Sequence, residues 1–368
     1  MKTRKELLKN KVVDIKATNH KTISKVLEEM ALTGFQGRTL GRVFEIWTKM
    51  CKEENMTIIL GLSGSLATAG QSALICQMID QGFVDMIVST GAQLSEDIIP
   101  ALGLSYYRGS QNQNDRELLD NSLMRYYDIY GTQEDYTAME QLIYDFIMTK
   151  VIGDRPTSSI EFLNGFGEFL TKKNINSIVA HAYQKNVPVC CPAIADSAYG
   201  DAYLMALNKG QRLVIDQMKD FEQLMRISEK SKNTSVIYLG GGVPKDVIQL
   251  MAASLTFMSG NKNIPGKHGG LIKSTKERYY PHKYAIQITT ANPMDGGLSG
   301  CTLEEAISWG KVDDTGDHVC CYSDITIALP LLIHGLFEAI GERKNRMNVL
   351  EMLGRKIDVN KKSPNQIN

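Results

Sequence analysis

The chain has 368 residues, of which 43% are hydrophobic and 22% charged. This is an ordinary globular composition, sufficient for one large domain or two average ones. Lysine plus arginine and aspartate plus glutamate both number 41, so no field of one sign covers the molecule. That disfavours a generic nucleic-acid binder and requires any charged substrate to be met by local charge.

The N-terminus, MKTRKELLKNKVVDIKATNHK, is basic but has neither an apolar core nor a cleavage site, so no signal peptide is expected. No apolar run reaches the ~20 residues of a membrane helix. The expected location is cytoplasmic, with no membrane partner and no direct nucleic-acid contact. The seven cysteines form no CxxC and the six histidines show no zinc spacing. They predict free, buried thiols in a reducing compartment and no metal site.

Residues 1–50 read as an N-terminal helical arm, two helices broken at Gly34 to Gly37. Short apolar runs then follow at 56–62, 84–90, 187–194, 212–217, 235–242 and 284–290, with another at 318–324. They are β-rich and nearly continuous, as parallel strands covered on both faces should be. Helical patterns fall between them at 68–81, 92–102, 138–152, 157–171, 175–186, 218–232, 244–258, 302–310 and 325–343. Strand then helix, repeated, predicts an α/β fold: a Rossmann-like doubly wound parallel sheet with helices on both faces. The polar, tyrosine-rich stretch 105–136 reads as an excursion from the sheet. A second insert, at about 259–285, is rich in Lys, Gly and aromatic residues. The expected division is an arm over 1–50, one catalytic domain over 51–345 and a frayed tail over 346–368.

Four strand ends carry small or polar residues: GLSGS, STGAQ, LGGGVP and TTANPMDGGLSG. Ligands of open parallel sheets sit at the carboxyl ends of strands, and glycine there permits close backbone approach. Four such ends point to a nucleotide or dinucleotide site. The GxGxxG and GxxxxGK[ST] fingerprints are absent, so an ordinary Rossmann dehydrogenase or P-loop enzyme is not indicated.

The stretch EEAISWGK places Trp309 two residues before Lys311. A lysine in water is protonated and a poor nucleophile, whereas one walled by an indole and kept from water can lose its proton near neutral pH. On the residues alone, Lys311 also fits a solvated lysine at a helix end, and Trp309 fits core packing.

EEAISWGKV, followed by YSDITIALPLL, resembles deoxyhypusine synthases. So do TGFQGRTLGR, GLSGSLATAG, VDMIVSTGAQLSEDI, RPTSSIEFLNGFG, NVPVCCPAIADSAYGD and YLGGGVPK, in the family's order, from about Gly34 to about Ala339. The resemblance implies NAD as cofactor, tetramers built from tight dimers, and active sites at subunit interfaces. It implies transfer of a 4-aminobutyl unit from spermidine to one lysine of a translation factor. Oxidation by NAD makes an inert amine carbon electrophilic; a lysine takes the unit as an imine and expels 1,3-diaminopropane; an acceptor amine then displaces the lysine. Relatives use a small diamine as acceptor and make homospermidine, and inactive paralogues serve as regulatory partners.

By the family's motif, Lys311 matches the imine-forming lysine and Trp309 the indole beside the polyamine. Asp201 and Glu305 match carboxylates that meet its ammonium ends, although each also fits an N-cap or a solvated first-turn acid. Ser63, Gly64, Ser65 and Thr68 match cofactor contacts after the first strand, and Thr90, Gly91, Ala92 and Glu96 those after the second. Asp196, Gly240, Gly241, Thr290, Ala291, Asp295, Asp324 and Ile325 match further ones.

Two positions depart. Asp246 stands where eukaryotic members carry a proton-handling histidine, next to the polyamine. Leu298 stands where they carry a carboxylate that grips an ammonium end. Gly297 also replaces a small hydroxyl residue. Together with the insert, which supplies His268 and His282 as candidate replacements, this pattern resembles the prokaryotic branch. An N-terminal helix covers the active-site entrance of a neighbouring subunit in some members, and residues 1–30 fit that role only generically.

Overall fold

The computed structural model describes residues 3–149, 155–255 and 280–354. It opens with α1 (Arg4–Leu7), an extended exposed stretch, then α2 (Ile23–Met30) and α3 (Phe35–Lys52). β1 (Met56–Leu62), α4 (Ser72–Asp80), β2 (Met86–Ser89), α5 (Gly91–Glu96) and α6 (Ile98–Ala101) follow. The tyrosine-rich excursion comprises β3 (Tyr107–Arg108), α7 (Asp115–Asp120), β4 (Leu123–Tyr126) and β5 (Ile129–Thr132). Next come α8 (Gln133–Thr149), α9 (Ser159–Lys172), α10 (Ile178–Gln184), β6 (Val189–Cys190), α11 (Ala198–Leu207) and α12 (Gln217–Lys230). The last third is β7 (Asn233–Leu239), α13 (Gly242–Ala253), β8 (His282–Thr289), α14 (Leu303–Ser308), β9 (Val312–Tyr322), α15 (Ile325–Ile340) and α16 (Val349–Met352).

Six strands form one parallel sheet in the order β6-β2-β1-β7-β8-β9. All seven residues of β1 are buried. Ile58, Leu60 and Leu62 join one core cluster and Ile59 the other, so alternate residues feed opposite faces. This is why the run reads as continuous apolar sequence. The chain winds outward from β1 to β6, returns to β7 on the other side of β1, and winds out again to β9. The expected doubly wound architecture is therefore present. Its strand order reverses between β1 and β7, the place where such folds form a crevice.

The excursion is a separate antiparallel sheet, β3-β5-β4. The strand expected over 212–217 does not form. Ile215 makes only an isolated bridge to Thr157, and Asp216 accepts from the Lys219 amide at 3.0 Å, capping α12. The run is too short and too close to that cap to extend.

The helix break expected at Gly34 to Gly37 lies a little earlier, and Gly34 is the N-cap of α3. The stretch 1–50 includes most of α3, whose Trp47 is fully buried with Val43, Phe44 and Met50. At Gly41 a Cβ would lie 2.3 Å from the Ala31 amide nitrogen, so the contact between α2 and α3 needs a residue without a side chain there. All seven cysteines are free thiols. Residues 259–279 of the insert, with His268, lie outside the described residues, as do 355–368 of the expected tail; its start is not frayed, since the Met347 amide bonds Asp85 at 3.0 Å and α16 buries Val349. Among the described residues no helix is long and apolar enough to cross a membrane.

A buried ion pair ties the chain after α15 to the start of the sheet. Arg343 Nη1 lies 2.8 Å from Asp85 Oδ2, with both side chains fully buried. Arg343 also donates to the Met56 carbonyl at 2.6 Å, and Asp85 accepts from the amides of Ile58 at 2.8 Å and Met347 at 3.0 Å. Burial pushes the Asp85 carboxyl up, against the pull of Arg343. Removing one partner strands the other charge, so Arg343→Ala should lose about 3–5 kcal/mol. Urea unfolding measures this, and a loss within error would show the pair to be dispensable.

Candidate active site

The switch point is held by side chains after β1. Ser63 Oγ donates to the Leu239 carbonyl at 3.1 Å and accepts from the Gly241 amide at 2.9 Å. Gly240 has φ +84°, and a Cβ there would meet Ser63 Oγ at 2.3 Å. Ser299 Oγ accepts from the Gly242 amide at 3.0 Å, bringing the loop after β8 onto the start of α13. Ser63, Gly64, Gly240 and Gly241 are thus brought together at the crevice. Ser65 and Thr68 share a 2.8 Å hydrogen bond, and Ser65 also donates to Glu96.

Two observations bear on a cofactor. The Thr90 hydroxyl is buried without a hydrogen-bond partner at the end of β2. Gly64, with φ +89°, faces open space. A buried orphan hydroxyl and an open glycine turn at a topological switch point fit a dinucleotide lying across the strand ends. Gly91 packs closely, since a Cβ would sit 2.4 Å from Ser197 Oγ. Thr290, Asp295 and Asp324 are exposed at neighbouring strand ends, with Ala291 and Ile325 partly covered. One Asp295 oxygen accepts from the Gly297 amide at 2.7 Å, and one Asp324 oxygen caps α15 through Thr326 at 2.7 Å.

An open acidic cavity of about 370 Å³ is lined by Ala92, Ser95, Glu96, Tyr136, Asp196 and Asp201. Tyr136 donates to Glu96 Oε1 at 3.2 Å, and Tyr106 donates to the Glu96 carbonyl at 3.2 Å. Burial pushes the Glu96 carboxyl up, opposed by hydrogen bonds from Ser65 and Tyr126. Glu140 is also raised, by burial and by the nearby Asp201 charge. Ser197 is the N-cap of α11 and Asp201 lies exposed in its first turn, so the N-cap alternative for Asp201 does not hold. The tyrosines and Glu140 are functional candidates that motif reading missed; the tyrosine-rich composition of 105–136 was the available signal.

Lys311 follows α14. Its Nζ donates to Gln249 Oε1 at 3.3 Å, lies 3.9 Å from Asp246 Oδ1 and sits 5.3 Å from the centre of the Trp309 ring. The Lys311 side chain is only 12% exposed, so it is not a solvated surface lysine. Trp309 is 62% exposed, so it is not a core residue. Thr302 caps α14 by accepting from the Glu305 amide at 3.0 Å, which leaves the Glu305 side chain exposed in the first turn. His282 is buried at the start of β8, bonded to Thr234 at 2.8 Å and the Ile248 carbonyl at 3.0 Å. Its amide donates to the Lys311 carbonyl at 3.0 Å, while its imidazole is bonded to those two partners.

The deoxyhypusine synthase family model matches residues 25–336. A "Probable deoxyhypusine synthase 2" from Archaeoglobus fulgidus is 40% identical over 326 residues, 88% of this chain and 100% of that protein. A protein of the same name from Methanosarcina acetivorans is 39% identical over 334 residues, 90% of each chain. This chain belongs to the deoxyhypusine synthase family. A "Deoxyhypusine synthase-like protein" from Chlorobaculum tepidum is 36% identical, covering 88% of this chain and 89% of that protein. The crystal structure of a "putative deoxyhypusine synthase" from Entamoeba histolytica shares the fold. Its TM-score is 0.60 at 19% identity, over 90% of this chain and 100% of that one.

In this family member the Leu298 carbonyl is in use. Lys245, fully buried, donates from Nζ to Gln287 Oε1 at 2.9 Å and to the carbonyls of Leu298 at 3.0 Å and Cys301 at 2.5 Å. Burial holds its ammonium below the usual lysine range. Lys245 thus pins the loop that leads to α14. Neither Lys245 nor Gln249 was singled out by motif. Within one chain the described contacts form two groups, one around Lys311 and one around Glu96 and Asp201.

Glu96 gives a pH test. Its folded-state value is raised, so the ionised carboxylate opposes folding as pH rises above the unfolded value. Glu96→Gln should therefore be more stable than wild type at about pH 8 and lose that advantage below about pH 4. Urea midpoints across that range check it, and a pH-independent difference would assign the effect to packing.

Proposed function

We propose that the protein is an NAD-dependent aminobutyltransferase. It moves a 4-aminobutyl unit from spermidine, or a related polyamine, to an amine acceptor through an imine on Lys311. The observation that carries this reading is a lysine amine largely withdrawn from water beside an exposed indole and a carboxylate. The carboxylate can serve as acceptor for the lysine's proton, and the indole offers a surface on which a cationic chain can stack.

NAD fits the crevice between β1 and β7, where Gly64 offers backbone and Thr90 an unused hydroxyl. When bound, it supplies a two-electron oxidation of the amine carbon and the matching reduction at the end, so the net reaction is a transfer. The remaining steps belong to the protein. Lys311 attacks the oxidised carbon, forms the C=N bond and releases 1,3-diaminopropane, which carries away a proton. The acceptor amine then attacks the same carbon and frees Lys311. Asp201 and Glu305 offset the ammonium charges of the substrate, which otherwise lose hydration on entry. Asp246, 3.9 Å from Lys311 Nζ, is placed to take up and return the lysine's proton.

Because the Lys311 and Asp201 groups are separate within one chain, we place the complete site between two copies, in a tetramer built from two tight dimers. The family-default acceptor is the hypusine-site lysine of a translation factor. A small amine acceptor, as in homospermidine synthesis, is the second reading; the apolar Leu298 beside Lys245 favours a donor or pose unlike that of the eukaryotic members.

Borohydride trapping with NAD and spermidine, putrescine or agmatine, read by intact mass, tests the reading. A butylamine adduct on Lys311 is expected with one donor, and it should clear when the true acceptor is added. Lys311→Arg should abolish the adduct while NAD still binds, since arginine stays charged. No adduct with any donor, despite bound NAD, would instead indicate a regulatory paralogue. Trp309→Ala should weaken donor binding by about 0.5–2 kcal/mol, which calorimetry would detect.

A further inference from the structure

We propose that Gln249 is the positioning residue of Lys311, a neutral clamp that holds the amine both before and after it loses its proton. The inference rests on the reading that Lys311 forms the imine. Gln249 lies on α13 one helical turn after Asp246, so both side chains meet Lys311 from one side. Gln249 is 1% exposed. Its Oε1 accepts from Lys311 Nζ at 3.3 Å, while its Nε2 is buried without a partner.

That unused amide is the informative feature. Buried polar groups almost always have partners, and an orphan at a site points to a partner supplied in another state. A carboxamide presents an acceptor on one arm and a donor on the other. With the lysine charged, Oε1 accepts an N–H. With the lysine neutral, Oε1 still accepts, or half a turn of the amide lets Nε2–H donate to the lone pair. A carboxylate in the same place could only accept, and it would favour the ammonium form.

The other groups around Lys311 do not do this. Asp246, 45% exposed and 3.9 Å away, is an ionic neighbour of the charged form. Glu305 on α14, Cys301 before it and Lys245 on α13 form the neighbouring electrostatic cluster. Tyr238 on β7 faces Asp246 and Cys301. The Trp309 ring attracts only a cation. Gln249 alone among these named groups is uncharged, buried and bonded to Nζ.

The test uses Gln249→Glu and Gln249→Met in the full chain, with trace labelling by acetic anhydride across pH and site-resolved mass spectrometry. Glu keeps the shape but adds a charge. It should slow Lys311 acetylation about tenfold near neutral pH, with recovery in alkali, because an opposite charge at this range favours the protonated amine. Met keeps the volume without the hydrogen bond. It should acetylate at the wild-type rate but lose about tenfold or more in kcat for transfer, with KM within about twofold, through lost orientation. Identical labelling profiles for wild type and Gln249→Glu, or wild-type kcat in Gln249→Met, would overturn the proposal. Labelling needs neither NAD nor donor. Failure of the aminobutyl reading would therefore appear as absent transfer in wild type, separately from the labelling result that decides Gln249.

Discussion

The structure depends on the pairing of β1 with β7. Both strands are buried on both faces, and their register runs unbroken from Met56 with Asn233 to Leu62 with Leu239. The chain must leave β1 in one direction and return beside it from the other, so the loops after the two strands diverge. A crevice at their carboxyl ends is the geometric consequence. Ser63 then sets its width, because its hydroxyl bridges the Leu239 carbonyl and the Gly241 amide. The glycines of LGGG follow from that bridge: at Gly240 and Gly241 a side chain would collide with Ser63 or Ser299. They serve close packing of the crevice walls, while Gly64 is the glycine that leaves room for something to approach.

Much of this was legible in the sequence because parallel strands covered on both faces leave a local mark. MTIILGL and SVIYLGGG are such runs, and both became central strands. RLVIDQ shows the limit. It is apolar enough to suggest a strand, yet an aspartate at its end caps the next helix, and local capping outweighed weak pairing. The site was legible only where residues stand close in sequence. Trp309 and Lys311 share one motif. Gln249 lies 62 residues from Lys311, and nothing in its own neighbourhood marks it. Its relevance exists only once α13 and α14 have packed on the same face of the sheet. The exposed position of Trp309 was likewise invisible, since tryptophan is more often covered than open.

Charge is arranged locally, as the neutral overall balance requires. The acidic cavity gathers Glu96, Asp196 and Asp201, with Glu140 near Asp201. After burial, the Asp201 charge is the second cause that pushes the Glu140 carboxyl up, an effect a nearby cation would relieve. Three tyrosines from the excursion and α8, Tyr106, Tyr126 and Tyr136, bond to Glu96 and cover it. The excursion is thus more than a decoration of the sheet: it supplies the wall that makes the deepest acid of the cavity a buried one.

Two lysines near α14 show why one of them is the reactive candidate. An ammonium has three donors. Lys245 places all three on oxygen atoms within 3.0 Å, and it is fully buried. Moving it would leave the loop at Leu298 to Cys301 without its anchor, so its chemistry is structural even though burial lowers its affinity for a proton. Among the described residues the Lys311 amine makes a single long bond, to Gln249, with Asp246 at the edge of ionic contact. Loss of its proton breaks no network, and its amine can turn toward a substrate without dismantling the fold. A depressed proton affinity alone would point to Lys245. Incomplete hydrogen bonding, next to an exposed aromatic face, selects Lys311.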